Sequence, residues 1–152
     1  ALAAEELARE VYRRAVAARP FRGPWAAYLE AALAQEEEHA RRLREALGRQ
    51  PALRFRLPEV FQSPILLLRL LESLEEAFVG AYLGALPLLE GEALRLAGAI
   101  LGVEAGHRVL VRQARLELQD PLLRPPFVAN DRALEQALSP EGAREALKPY
   151  LP

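Results

Sequence analysis

Two stretches of this chain carry the same sparse pattern of glutamate, tyrosine and histidine at nearly the same spacing, and that repeat limits the folds open to it. Glu5 is followed by Tyr12, and Glu75 by Tyr82, each seven residues on. Glu36 follows Glu5 after 31 residues and Glu104 follows Glu75 after 29. Each of these later glutamates opens a Glu-x-x-His, as Glu36-Glu37-Glu38-His39 and Glu104-Ala105-Gly106-His107, and the chain has no other histidine. Helical residues three apart lie one turn on and about 60° round, so carboxylate and imidazole project from one face toward a common point. With 19 glutamates in 152 residues, both histidines gain such a partner by accident about once in sixty. The pattern reads as two copies of one helix hairpin, and its donor pairs point to a metal site.

The rest of the sequence divides into helices and breaks. Helix one is expected from the start to about Ala18, ending at Arg19-Pro20-Phe21-Arg22-Gly23-Pro24, and helix two from about Pro24 to Leu47, ending at Gly48. Residues 49–63 hold Pro51 and Pro58 without helical periodicity and read as an extended crossover. Helix three follows over about 64–89, with Pro87 bending or closing its last turn, and helix four over about Glu92 to Leu118. Two short helical pieces are expected beyond, near Asp131 to Leu138 and from Ser139 as N-cap with Pro140 at the first helical position. The domain reading is thus a four-helix bundle over 1–118, made of hairpins 1–48 and 64–118 joined by the crossover, with a C-terminal extension, 119–152, packing on it.

Depth along the helices sharpens the metal reading. Glu5 and Glu75 stand about 14 and 15 residues before their turns, and Glu36 and Glu104 about 13 after them. At 1.5 Å per residue all four reach one level, roughly 20 Å from the hairpin ends. For the hairpins to pair in that register, helix three must start at the end opposite to where helix two stops. A fifteen-residue connection reaches ~50 Å, more than a bundle length of ~35 Å.

Composition removes other classes. A net charge of -1 provides no basic field for nucleic acid. Cysteine is absent, which excludes disulfides and thiolate sites. The longest apolar stretch, Ala77 to Leu89, is interrupted by Gly80, Gly84 and Pro87 and falls short of the ~20 residues a membrane span needs. It is also more apolar than one contact stripe requires, so either the C-terminal pieces cover it or a second copy does, in a homodimer. Helix one looks trimmed at Ala1. A removed export signal or a tag or protease cut would each explain that, so the expectation for location stays open between cytoplasmic and exported.

A Glu from each of two helices plus a Glu-x-x-His from each of two others is the ligand set of ferritin-like di-iron and di-manganese carboxylate bundles. The chain resembles that superfamily over about residues 4–115. Ala34-Gln35-Glu36-Glu37-Glu38-His39-Ala40-Arg41-Arg42-Leu43 is similar to the second helix of rubrerythrins. Glu75 through Leu89, with Ile100-Leu101-Gly102-Val103-Glu104-Ala105-Gly106-His107, more closely resembles the ferritin-like domain of desiccation-related proteins. The resemblance implies an all-α, ferritin-like four-helix bundle with Glu5, Glu36, His39, Glu75, Glu104 and His107 as metal ligands. It further implies two divalent ions, iron or manganese with zinc an alternative, and O2 or peroxide as reaction partner. Tyr12 and Tyr82 are candidates to brace ligating carboxylates. Rubrerythrins place a further carboxylate where this chain has Phe78, and their rubredoxin-like cysteines are missing here, which argues against electron transfer of that type.

Two functions stay open on this reading. One is metal or oxidative-stress chemistry as a ferroxidase or in peroxide or O2 reduction; the other is a non-catalytic, stress-protective bundle that binds metal weakly or not at all. Glu6, Glu37, Glu38 and Glu76 are expected at the surface or in ion pairs with nearby arginines such as Arg41 and Arg42, Glu10 and Glu72 are outside substitutes for a ligand, and Trp25 is expected in packing.

Overall fold

The computed structural model describes residues 1–48 and 50–152, and among them the regular structure is entirely helical. Helix α1 spans Leu2–Ala18, α2 Pro24–Leu47, α3 Pro64–Ala85, α4 Gly91–Glu117 and α5 Pro140–Leu147, with short 3-10 turns at Leu86–Leu88 and Lys148–Tyr150. The all-helical architecture of a ferritin-like bundle, expected from the repeat, is the one observed.

The starts follow from residue chemistry. Pro24, Pro64 and Pro140 each occupy a first helical position, where a missing N–H costs nothing, and the Ser63 and Ser139 hydroxyls accept from the backbone N–H groups of Leu66 and Gly142. Helix α3 stops at Ala85, four residues short of the expected end, because Pro87 has no N–H to return to the preceding turn; the chain tightens into a 3-10 turn instead. The turn into α4 runs through Gly91 at φ +55, a left-handed conformation that glycine adopts without strain, and α4 spans from Gly91, one residue before the expected start.

The four long helices form two antiparallel hairpins, α1 with α2 and α3 with α4. Leu43, Ala46 and Leu47 at the end of α2, Tyr82 and Ala85 at the end of α3, and Ala93, Leu96 and Ala97 at the start of α4 border one cavity together with Ala1 and Ala4. Helix α2 therefore finishes at the end of the bundle opposite to where α3 starts, as the register of the glutamates requires. Arg49 lies outside the described residues. From 50 to 63 the chain has no helix; Phe61 enters the core, Phe55, Leu57 and Val60 pack against it, and the Arg56 N–H bonds the Tyr150 carbonyl.

The core is split by level. A large cluster including Leu7, Val11, Ala15, Leu29, Leu67, Leu71, Leu74, Phe78 and Val111 fills one part, and a smaller one of Leu43, Tyr82, Ala97 and Ile100 fills the other. Two apolar masses thus enclose whatever lies between them.

The stretch from Asp131 to Leu138, expected as a short helix, is not helical. Its apolar residues do not act together, since Leu138 packs against α3 while Leu134 is 85% exposed, and its polar groups are spent on the bundle. Asp131 and Glu135 accept from Arg112 and Arg108 of α4, Arg132 pairs with Glu76 of α3, and the Leu138 N–H bonds the Gly80 carbonyl. Leu138 lies so close to α3 that a Cβ on Gly84 would fall 1.9 Å from its carbonyl oxygen. The expected helix from Ser139 does form, as α5, and packs on α3 beside Ala77 and Ala81.

This close approach sets two effects of Gly84→Ala against each other. Helix propensity favours alanine by ~1 kcal/mol, whereas the clash with backbone costs about 1–3 kcal/mol and is relieved only by lifting the segment away. The expected outcome is net destabilisation in urea unfolding, with faster proteolysis between residues 119 and 139; a stabilised, equally resistant variant would contradict the packing described.

Candidate metal centre

The four repeat glutamates are where depth counting places them. Each sits in the apolar stripe of its own helix: Glu5 among Ala4, Leu7 and Ala8, Glu36 between Ala32 and Ala40, Glu75 beside Leu71, Leu74 and Phe78, and Glu104 between Ile100 and Val111. A residue in that stripe is carried inward by the burial of its neighbours. All four are fully buried, and His39 and His107 are 8% and 3% exposed.

The six side chains converge in two overlapping groups. Glu5, Glu36, His39 and Glu104 form one and Glu36, Glu75, Glu104 and His107 the other, and within each group one donor atom from every residue lies within 4.8 Å of the rest. Glu36 and Glu104 belong to both. His39 Nδ1 is 3.0 Å from Glu104 Oε1, 3.2 Å from Glu5 Oε2 and 3.5 Å from Glu36 Oε2. His107 Nδ1 is 3.1 Å from Glu36 Oε1 and 3.8 Å from both Glu75 Oε1 and Glu104 Oε2. Each histidine thus faces the three glutamates that the repeat relation assigns to it.

The tyrosines cross between hairpins. Tyr12 of α1 donates to Glu75 Oε1 of α3 at 2.6 Å, and Tyr82 of α3 donates to Glu5 Oε1 of α1 at 2.5 Å. Each bond occupies one carboxylate oxygen and orients the other. The remaining donors stay open: both oxygens of Glu36 and Glu104, Glu75 Oε2 and His107 Nδ1 are buried without a hydrogen-bond partner. Buried polar atoms left in this way are costly unless something unites them. Oxygen-rich donor sets with two imidazoles suit divalent cations, and these two clusters could hold metal ions.

Electrostatics express the same crowding. Burial pushes Glu5 up to about 8, and burial with the neighbouring Glu104 and Glu36 charges raises Glu75 well above the ordinary range. Burial acts against charging His39 and His107, but the close carboxylates overcome it and raise them to about 12 and about 9. Glu104 also feels burial, yet its contacts with His107 and His39 hold it near 2.

Two polar neighbours were not singled out in the sequence. Gln35 Oε1 lies 2.7 Å from His107 Nε2, and the Tyr28 hydroxyl is 2.9 Å from that of Tyr12, with its ring edge-on to His107. Both lie on the first hairpin and touch residues whose proximity only the fold creates. The other glutamates go to arginines: Glu6 to Arg9 and Arg44, Glu10 to Arg13 and Arg14, Glu38 to Arg41 and Arg42, Glu72 to Arg112 and Arg115, and Glu76 to Arg132. Glu37 is exposed. Phe78 is buried in the core, and Trp25 packs on Tyr28 while donating to Glu117 Oε2.

Among the described residues no helix is long and apolar enough to cross a membrane. No curated protein and no solved structure matches the chain. A family profile described as a ferritin-like domain does match, over residues 1–117, which takes in all four long helices and the whole of the buried cluster. The protein belongs to the ferritin-like family.

Proposed function

We propose that the protein is a dinuclear metalloprotein in which Glu5, Glu36, His39, Glu75, Glu104 and His107 hold two divalent ions, with Glu36 and Glu104 shared between them. The observation carrying this reading is that the two donor clusters overlap in those two glutamates, whose four oxygens are all buried and have no hydrogen-bond partner apart from the approach of the two histidines. Carboxylate oxygen with imidazole nitrogen favours iron or manganese, with zinc a competitor by affinity. Bound there, such a pair would supply redox chemistry toward O2 or peroxide, as in a ferroxidase or a peroxide-removing enzyme. The chain's own part is to orient and enclose. Tyr12 and Tyr82 fix one oxygen each of Glu75 and Glu5, and the apolar layers on either side keep bulk water out.

A second reading rests on a different feature of the same site. Protonated His39 and His107 neutralise part of the carboxylate charge by themselves, which suits a stress-protective bundle, in keeping with the resemblance to desiccation-related proteins, that binds metal weakly and turns nothing over. Metal analysis of protein purified without chelator separates the readings first. Oxygen uptake on adding Fe(II), and peroxide decomposition by the manganese-loaded protein, then separate turnover from storage or inertness.

Stability supplies a further check. A ligand present at 100 times its dissociation constant adds about 2.7 kcal/mol to the folded state, so iron or manganese raises the melting temperature. Glu36→Ala combined with Glu104→Ala is expected to abolish that rise; a double variant stabilised as much as the parent would sink the proposed ligand set.

The metal-free protein has a pH signature of its own. Glu5, raised to about 8, and the raised Glu75 keep protons in the folded state that the unfolded chain releases, so their contribution is full below their ordinary value and lost as pH rises through the raised one. His39 and His107, raised to about 12 and about 9, act in the same direction above their ordinary 6.5. Glu104, held near 2, acts oppositely but only at pH below its ordinary 4.5. The melting temperature of chelator-treated protein should therefore fall from pH 5 to pH 9, and the fall should flatten on metal loading. A metal-free melting temperature that climbs across that range would contradict the charge arrangement.

A further inference from the structure

The two hairpins repeat the six donors but not what surrounds them, and the difference is confined to one side. Offsetting by 68 residues brings Glu36 onto Glu104 and His39 onto His107; the same offset brings Gln35 onto Val103, Tyr28 onto Leu96 and Trp25 onto Ala93. The first hairpin thus carries polar and aromatic groups where the second carries aliphatic ones. Because each histidine is bordered by the opposite hairpin, the first hairpin's groups serve His107 and not His39.

The geometry bears this out residue by residue. Gln35 Oε1 lies 2.7 Å from His107 Nε2, so the amide oxygen accepts from Nε2–H, and a ring that gives up one proton to take a cation keeps this one and frees Nδ1, the nitrogen that faces the carboxylates. The His107 ring packs against both Tyr12 and Tyr28, with centroids 5.8 and 6.0 Å away. His39 has ring contacts through Nδ1, and among the described residues none of its hydrogen bonds engages Nε2. Val103, at the position related to Gln35, has no acceptor to offer. One turn beyond His39, at Leu43, begins an apolar cavity of about 190 Å³ that Tyr82, Leu96 and Ala97 also border. One imidazole thus has its distal nitrogen held by a partner on the opposite hairpin before any ion arrives, while the other is held only through the nitrogen that faces the carboxylates.

We infer that the two metal positions are unequal, that the His107 position fills first and the His39 position second, and that Gln35 is the positioning residue that creates the order. The inference rests on the dinuclear reading above and assigns roles within it. A partner on the distal nitrogen of a ligating histidine typically changes metal affinity 10- to 100-fold. Gln35 lies at the bundle surface, where water competes for its amide, so the lower end of that range, about tenfold, is expected. The exchangeable ion is then the one beside His39, nearest the cavity end of the bundle.

The test is calorimetric titration of the metal-free protein with Co(II), with visible absorption recorded alongside. Two steps are expected, one ion each, with the first at least tenfold tighter. Gln35→Val should weaken the first step about tenfold and leave the second nearly unchanged, and Gln35→Glu, which keeps an acceptor, should restore it. Val103→Gln, the reciprocal change, should tighten the second step. His39→Ala should retain one tight ion and His107→Ala only the weak one. Two equal steps that neither Gln35→Val nor Val103→Gln alters would overturn the order while leaving the dinuclear centre standing. Absence of two-ion binding in the parent protein would remove the dinuclear reading itself. Circular dichroism of each variant separates a lost step from a lost fold.

Discussion

Four carboxylates buried at mid-height in an apolar bundle are the constraint on which the rest of this structure depends. Desolvation and mutual repulsion both work against them, so the surrounding chain is organised to hold them. Apolar stripes on four helices carry them inward whatever their charge, and the large core cluster fills the space below. Two tyrosines, each reaching to the opposite hairpin, satisfy one oxygen apiece. These crossed bonds also tie α1 to α3, two helices that no turn connects, so the residues that orient the centre also fix the register of the hairpins.

Much of this was legible from the sequence because the repeat converts spacing into depth. Counting residues from each turn places Glu5, Glu36, Glu75 and Glu104 at one level, and a helix of fixed rise leaves little freedom to misplace them. The same count requires the crossover to traverse the bundle, which it does. Gln35 and Tyr28 were not legible, since their roles arise from contacts with His107 and Tyr12 that only tertiary packing supplies. Their one trace in the sequence is negative: each falls where the repeat fails. The segment from Asp131 to Leu138 misled for another reason. Its residues suit a helix locally, but its carboxylates find Arg108 and Arg112 on α4 and Leu138 finds α3, and those long-range contacts outweigh a helix of only two turns.

The C-terminal segment answers a question the apolar stretch Ala77 to Leu89 raises. Gly80 and Gly84 are spaced one turn apart on α3, and their missing side chains admit Leu138 against the helix backbone. Alanine 77 and 81 continue the shallow strip toward α5. The excess apolarity of α3 is thus used twice, inward toward the core and outward toward the chain's own C-terminal segment. Arg108 and Arg112 hold the neighbouring stretch from α4, Arg115 holds Asp120, and the Arg56 N–H bonds the Tyr150 carbonyl, so the segment beyond α4 is tied down along its length.

Charge counting separates the central glutamates from every other carboxylate the fold buries. Asp120, equally enclosed, meets Arg69 and Arg115, and its acid is held well below the usual range by the Arg69 contact in particular. Among the described residues the four central glutamates form ion pairs with no arginine, and with two histidines alone. Even with both imidazoles charged, half of the negative charge is left without an internal counter-ion. The interior must then bind further protons, which is what the raised Glu5 and Glu75 express, or admit cations. Two divalent ions with neutral histidines would bring the cluster to neutrality without any added proton and would give the buried oxygens of Glu36 and Glu104 a common partner. Protonation can answer the charge, but a carboxyl proton serves only one oxygen at a time and leaves that geometry unexplained.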